Sequence, residues 1–249
     1  MKQCWASCLN DCADEISREH LISSSVFLEG SVDVQGLKWC KNAPKVVSLS
    51  SLTSKILCRH HNSSLSDLDT AAKTCFEAIR DADKLYSIRN KLRRTRIWHV
   101  VKYHVPGSLL ERWFLKTLIN LTYGGDLPIG PDSNTPGFPS DLLVNIAFGK
   151  VSLTEEAGLY SVIKIGEKVT MTEAIAFSPL IYQHSFIAGA LFRIKGFRFL
   201  LFLGPGRPPR PLSNLGIEED WGDSQLNYHN QEVQFMINRA ISHKIIFNW

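Results

Sequence analysis

The sequence predicts an α+β protein in two parts: a small cysteine-bearing module over residues 1–96 and an α+β domain with an antiparallel meander over 97–249. Three observations carry this reading. All six cysteines lie in the first 75 residues. A helical period of apolar residues runs from Ser66 toward Leu92. After residue 140, short apolar segments alternate with turn residues at strand length.

Residues 1–16 read as a loop or short helix holding Cys4, Cys8 and Cys12. His20-Leu21-Ile22 and Val26-Phe27-Leu28 read as extended pieces, and Gly30 to Val34 and Asn42-Ala43-Pro44 as turns. The end of the stretch from Val46 to Leu57 reads as a strand leading into Cys58. Ser66 is a fitting helix N-cap, and Asp67 and Asp69 suit the positive end of the helix that follows. Leu68, Ala72, Cys75, Phe76 and Ile79 recur on one face, which makes Cys75 a core residue.

A boundary is expected near residue 96. Beyond it Gly107 to Leu121 reads as an amphipathic helix ended by Tyr123-Gly124-Gly125. Residues 126–140, rich in proline and glycine, read as a loop. Strands are expected over Leu142–Phe148, Tyr160–Ile165, Ile175–Tyr182, Ala190–Ile194 and Phe197–Leu203, with Lys195-Gly196 as a tight hairpin. Gly204 to Pro211 cannot pair in a sheet. A last helix is expected from Gln231 to Ser242.

No apolar run approaches the roughly 20 residues of a membrane span. The start of the chain has no apolar secretory core, so a cytoplasmic protein is expected, with reduced thiols. Cysteines clustered with histidines in such a compartment read as metal ligands. The net charge of +4 is not spread evenly. Residues 1–96 carry 15 Lys/Arg against 11 Asp/Glu, and residues 97–249 carry 13 of each. Arg89, Lys91, Arg93, Arg94 and Arg96 concentrate the excess, a pattern that suits contact with phosphates.

The chemistry-bearing residues are Ser17-Arg18-Glu19-His20 and, about forty positions later, Ile56-Leu57-Cys58-Arg59-His60-His61-Asn62. Cys58 and His61 have the Cys-x-x-His spacing that grips one zinc ion from a tight turn. Phosphodiester hydrolysis needs a base to activate water and a cation to neutralise charge. An acid–histidine pair offers both functions. On a regular strand, however, Glu19 and His20 point to opposite faces.

An acid–histidine pair followed by a Cys-x-x-His-Asn turn, with thiols upstream, resembles the HNH endonucleases. The resemblance covers roughly residues 4–80. It implies a ββα-metal module and a metal-dependent nuclease acting on DNA, with prokaryotic defence as a setting. It implies His20 as general base, Glu19 as a ligand of a catalytic Mg2+ or other divalent cation, and Asn62 as an orienting residue. Asp67 or Asp69 stands where the family places its last ligand, with Asp69 preferred. A structural Zn2+ would use Cys58 and His61 with two upstream thiols. Cys8 and Cys12 are preferred, Cys4 and Cys8 are the alternative, and Cys40 is less suited. The domain over 97–249 would then recognise a target, a protein partner or a signal. The other readings are a zinc-stabilised nucleic-acid-binding module without cleavage, and an interaction or ligand-sensing protein. Neither the kind of nucleic acid, its sequence nor the oligomeric state can be read from the residues.

Overall fold

The computed structural model describes residues 3–13, 15–41, 43–92, 99–154, 156–163, 171–209, 224–237 and 240–249. Among these are twelve strands in three sheets, and four α-helices. The class is α+β, with mainly antiparallel pairing.

Strand β1 (Ile16–His20) pairs antiparallel with β4 (Thr53–Cys58), with a bulge between Ser17 and Glu19. Helix α1 (Arg59–Ser64) follows directly, and α2 (Ser66–Asn90) continues after a break at Leu65. The buried face of α2 contains Leu68, Ala72, Cys75, Phe76 and Ile79, the helical stripe expected from the sequence, together with Ala71, Ala78 and Ala82. Between β1 and β4 the chain leaves the pair, turning through Ser24–Val26 into β2 (Ser31–Gln35) and β3 (Lys45–Ser48). The segment expected as a turn from Gly30 is therefore mostly strand. Val32 and Val34 alternate with exposed Asp33, a half-buried pattern.

A seven-stranded sheet forms the other side. It contains β6 (Gly158–Ile163), β7 (Ala174–Tyr182), β8 (Phe186–Ile194), β9 (Phe197–Phe202) and β10 (Gln225–Tyr228). Its order is β10-β6-β9-β8-β7-β2-β3, and β2 joins β7 in parallel. Lys195 and Gly196 both take positive φ, 52° and 86°, the two-residue turn expected there. Buried Lys195 pairs with Glu173, and its ammonium lies 5.5 Å from the Phe27 ring centroid. Strands β11 (Glu232–Ile237), β12 (Ala240–Asn248) and β5 (Val101–Pro106) form the third sheet. The helix expected over Gln231–Ser242 is thus a β-hairpin. Val233, Phe235 and Ile237 repeat with period two, and β12 is held in place by parallel pairing with the distant β5.

The strand expected over Leu142–Phe148 is instead helix α4 (Asp141–Ala147). Ser140 caps it, its Oγ accepting the Leu143 N–H. A short apolar run does not by itself separate helix from strand.

Helix α3 (Gly107–Thr122) lies at the centre and is buried around most of its circumference. The expected amphipathic face is therefore a core helix. Phe114 packs against Phe192 of β8 and Phe199 of β9, at 5.0 and 4.9 Å between centroids. One main apolar core runs from Cys4 to Phe247, drawing on residues either side of the expected boundary. Residue 96 itself lies outside the described residues, and both larger sheets combine strands from before or near it with strands far beyond.

Burial of α3 makes its polar side chains informative, because a buried polar group without a partner is costly. Asn120 accepts from Trp5 Nε1 at 3.1 Å and donates to the His20 carbonyl at 3.2 Å. Lys116 reaches Glu19 and Asp69. Glu111 reaches Leu159 N–H and His229. Together these bonds tie the N-terminal segment, the end of β1, the start of α2, β6 and the turn after β10 to one helix.

Candidate metal centre

Cys58 closes β4 and caps α1. Its Sγ accepts the His61 N–H at 3.5 Å, which sets His61 one turn into the helix beside the thiol. The N-terminal segment docks on the same strand, with Trp5 N–H bonded to the Ile56 carbonyl at 3.0 Å. This brings Cys4 alongside. A short 3-10 turn over Ser7–Leu9 and a left-handed Asn10 (φ 61°) then return the chain, carrying Cys12 to the same place.

The result is a three-thiol, one-imidazole cluster. The Sγ atoms of Cys4, Cys12 and Cys58 lie 3.3, 3.6 and 3.2 Å from His61 Nδ1. All four ligand atoms lie within 4.8 Å of one another. Tetrahedral zinc, with Zn–S near 2.3 Å and Zn–N near 2.0 Å, places sulfur about 3.5 Å from nitrogen. The residues therefore fit Zn2+ in a Cys3His site. On its other side His61 Nε2 lies 2.7 Å from Asp11 Oδ1. This is the carboxylate–histidine support that fixes the tautomer of a metal-bound imidazole. The Phe148 ring edge closes the cluster against His61, at 5.1 Å between centroids.

The thiols respond to burial in different ways. Burial pushes Cys4 up, and pushes Cys12 up to about 12 with the other thiols adding to the effect. Burial also opposes ionisation of Cys58. There the His61 and Ala13 amides and the two neighbouring thiols donate to its sulfur and bring it below the usual thiol value. A bound cation would let all three ionise together.

Three of the four zinc ligands expected in the preferred set, Cys12, Cys58 and His61, meet here. Cys8 does not. The 3-10 turn directs its thiol to Asp141, and burial followed by that carboxylate pushes it up to about 11. Cys4 takes its place. No spacing rule separates the two, because the choice depends on how the segment turns after Trp5 seats in the core. Cys40 is buried in the turn after β2, and Cys75 is buried on α2, where desolvation raises its pKa.

Glu19 and Asp69, the expected ligands of a catalytic cation, are also brought together, but around a lysine. Lys116 Nζ lies 2.7 Å from Glu19 Oε1 and 3.0 and 2.9 Å from the two Asp69 oxygens. Ser23 Oγ donates to Asp69 and accepts from Trp113 Nε1, at 2.7 Å. Burial raises the Glu19 carboxyl above its ordinary range, even with the ammonium alongside. Sequence reasoning missed Lys116. The signal was a lone lysine inside Trp113-Phe114-Leu115-Lys116-Thr117-Leu118-Ile119. Such a charge is buried only with counter-charges.

His20 ends β1 half-buried, opposite Thr53. Asn62 donates to Ser17 Oγ at 3.1 Å, and Ser17 donates to the Leu57 carbonyl, so this side chain latches α1 to the strand pair. No contact joins Asn62 to His20 among the described residues. Of the expected phosphate-binding residues, Arg89 turns inward to the Ser242 and His99 carbonyls, while Lys91 is exposed. Arg93, Arg94 and Arg96 lie outside the described residues.

Comparison with protein-family models, curated proteins and solved structures finds no match. No helix among the described residues is long and apolar enough to cross a membrane.

Proposed function

We propose that β1, β4, α1 and α2 form a zinc-stabilised ββα module of the HNH type that holds nucleic acid without cutting it. The observation that carries this reading is the Lys116 ammonium between Glu19 and Asp69. Hydrolysis through these carboxylates needs a divalent cation to stabilise the phosphate and the leaving oxygen. The chain supplies its own monovalent cation there, and a buried ammonium cannot act as a Lewis acid.

Zinc, held by Cys4, Cys12, Cys58 and His61, is structural in this reading, since four protein ligands leave no open position for water or substrate. Six free cysteines suit a reducing compartment such as the cytoplasm. Arg18, Lys55 and Arg59 are exposed on or next to the strand pair, and Lys91 lies past the end of α2. These cations, with Arg93, Arg94 and Arg96, would meet phosphates without reading sequence.

The test uses the purified chain, supercoiled plasmid and labelled duplex DNA with Mg2+ or Mn2+. Salt-dependent binding without nicking is expected. Nicking that is lost in His20→Ala would instead support the endonuclease, a reading favoured by the convergence of Glu19 and Asp69 at the end of β1. Absence of both binding and nicking would leave an interaction protein.

A further inference from the structure

Helix α3 carries a second acid whose environment differs from that of Glu19. Buried Glu111 accepts the Leu159 N–H at 2.7 Å, and the same Oε2 lies 2.8 Å from His229 Nε2. A carboxylate only accepts, so Nε2 carries the hydrogen. In the neutral ring the lone pair is then on Nδ1. No partner for Nδ1 occurs among the described residues, and the side chain is 30% exposed at the wall of a cavity of about 500 Å3. That volume falls within the ~300–1,000 Å3 of small-molecule sites.

The backbone is shaped around this pair. His229 is held at φ 39°, a left-handed conformation that non-glycine residues rarely adopt. Its ring is sandwiched between Tyr228 and Trp249, at 3.9 and 4.0 Å and nearly parallel to both. Gly158, at φ 146°, leaves the space: a Cβ there would lie 2.3 Å from Glu111 Oε2. A Cβ on Gly107 would lie 2.8 Å from the Trp249 ring. Trp249 is fixed in turn by its Nε1 bond to the Asn230 carbonyl, at 3.0 Å.

We propose that this cavity binds an uncharged, polyhydroxylated ring of the monosaccharide type, with His229 Nδ1 accepting a hydrogen bond from one ligand hydroxyl. The charges around the cavity are already matched. Arg207 pairs with Glu156 at 2.7 Å and Glu232 with Lys244 at 3.0 Å. An ion gains little there. The remaining capacity is of two kinds. Tyr160, Leu226 and Tyr228 contribute apolar surface to the wall, which suits the C–H face of a sugar. Asn230 uses one amide hydrogen on Ser161 Oγ and Gln231 uses one on the His229 carbonyl, so each amide keeps a second N–H and its carbonyl oxygen at the cavity wall. Amides that both donate and accept, with an accepting Nδ1, suit a ligand rich in hydroxyl groups, which do both. Glu111 is a positioning residue that sets the tautomer.

The test is saturation-transfer NMR on the full chain with glucose, galactose, N-acetylglucosamine and ribose, each at millimolar concentration. Transfer to at least one sugar is expected, with affinity falling at least about tenfold in His229→Phe, which keeps a ring in the stack but lacks the nitrogen. Glu111→Gln is expected to weaken binding and to move the His229 proton toward Nδ1 in 15N spectra, a change that loss of packing alone would not produce. No transfer from any of the four sugars, or equal transfer in His229→Phe, overturns the proposal. So does a wild-type spectrum with the proton on Nδ1, which requires no variant.

Discussion

Two ligand clusters lie near the β1–β4 pair, and they differ in where their positive charge comes from. The Cys4-Cys12-Cys58-His61 cluster brings three thiols and an imidazole together with no cationic side chain among its ligands. The Glu19–Asp69 cluster brings two carboxylates together around Lys116. Deprotonated thiols at such separation would repel one another, so the first arrangement could hold a metal ion that lets them ionise together. The second is complete as folded. A motif that names the ligands therefore does not name the cation, which at Glu19 and Asp69 is a residue from α3.

The largest test of this contrast is removal of zinc. About one zinc atom per chain is expected by elemental analysis of protein purified without chelators. A strong chelator, or Cys58→Ala, is expected to abolish cooperative unfolding by circular dichroism, since metal binding and folding are linked in such sites. Folded protein with no zinc would end the proposal for this cluster.

Lys116→Met breaks the other side. It leaves buried Glu19 and half-buried Asp69 without a counter-charge, a loss of about 3–5 kcal/mol in denaturant unfolding. Millimolar Mn2+ is expected to recover part of that loss in the variant and to leave the parent unchanged. If Mn2+ stabilises both equally, Lys116 is not standing in a cation's position.

A smaller effect is expected from Asp11→Asn, which keeps the size of the side chain but weakens its support of His61. Zinc affinity should fall roughly 10–100-fold in competition with a chromophoric chelator. An unchanged affinity would make Asp11 an ordinary surface acid.

The buried histidines sharpen the comparison. His61 has partners on both ring nitrogens, whereas Nε2 of fully buried His243 has none among the described residues. Burial, with Arg89 nearby, lowers the His243 pKa to about 4. The unfolded chain, with a value near 6.5, takes up the proton first as pH falls. This contribution to stability is complete above about 6.5, declines by up to ~1.4 kcal/mol per pH unit toward 4, and levels off below. Unfolding of His243→Phe should lack that component. The same slope in parent and variant would assign it elsewhere.

The smallest change is expected in Asn62→Ala, about 1 kcal/mol for one lost latch to Ser17. Zinc content should be unaffected. Loss of the metal would mean that Asn62 holds α1 more firmly than one hydrogen bond allows.

Local pattern made a good part of the fold legible. The stripe on α2, the 195–196 hairpin, β7 and the extent of α3 all follow from spacing within a few residues. Cys58 and His61 were legible for the same reason, because three positions at a helix start fix their separation. Strands β5 and β12 were not legible. They pair in parallel across about 140 residues, and no local signal records that partner.

What the sequence by itself determined is the inventory: thiols and histidines in one module, an acid next to His20, a second acid on the helix after Cys58, and a lysine alone in an apolar run. Only the tertiary structure decided the assignments. It chose Cys4 over Cys8 by seating Trp5 in the core, and it placed Lys116 between Glu19 and Asp69 by burying α3 on nearly every side. The physical reason is shared. A ligand or counter-charge is selected by what else must be buried, and burial is a property of the whole chain.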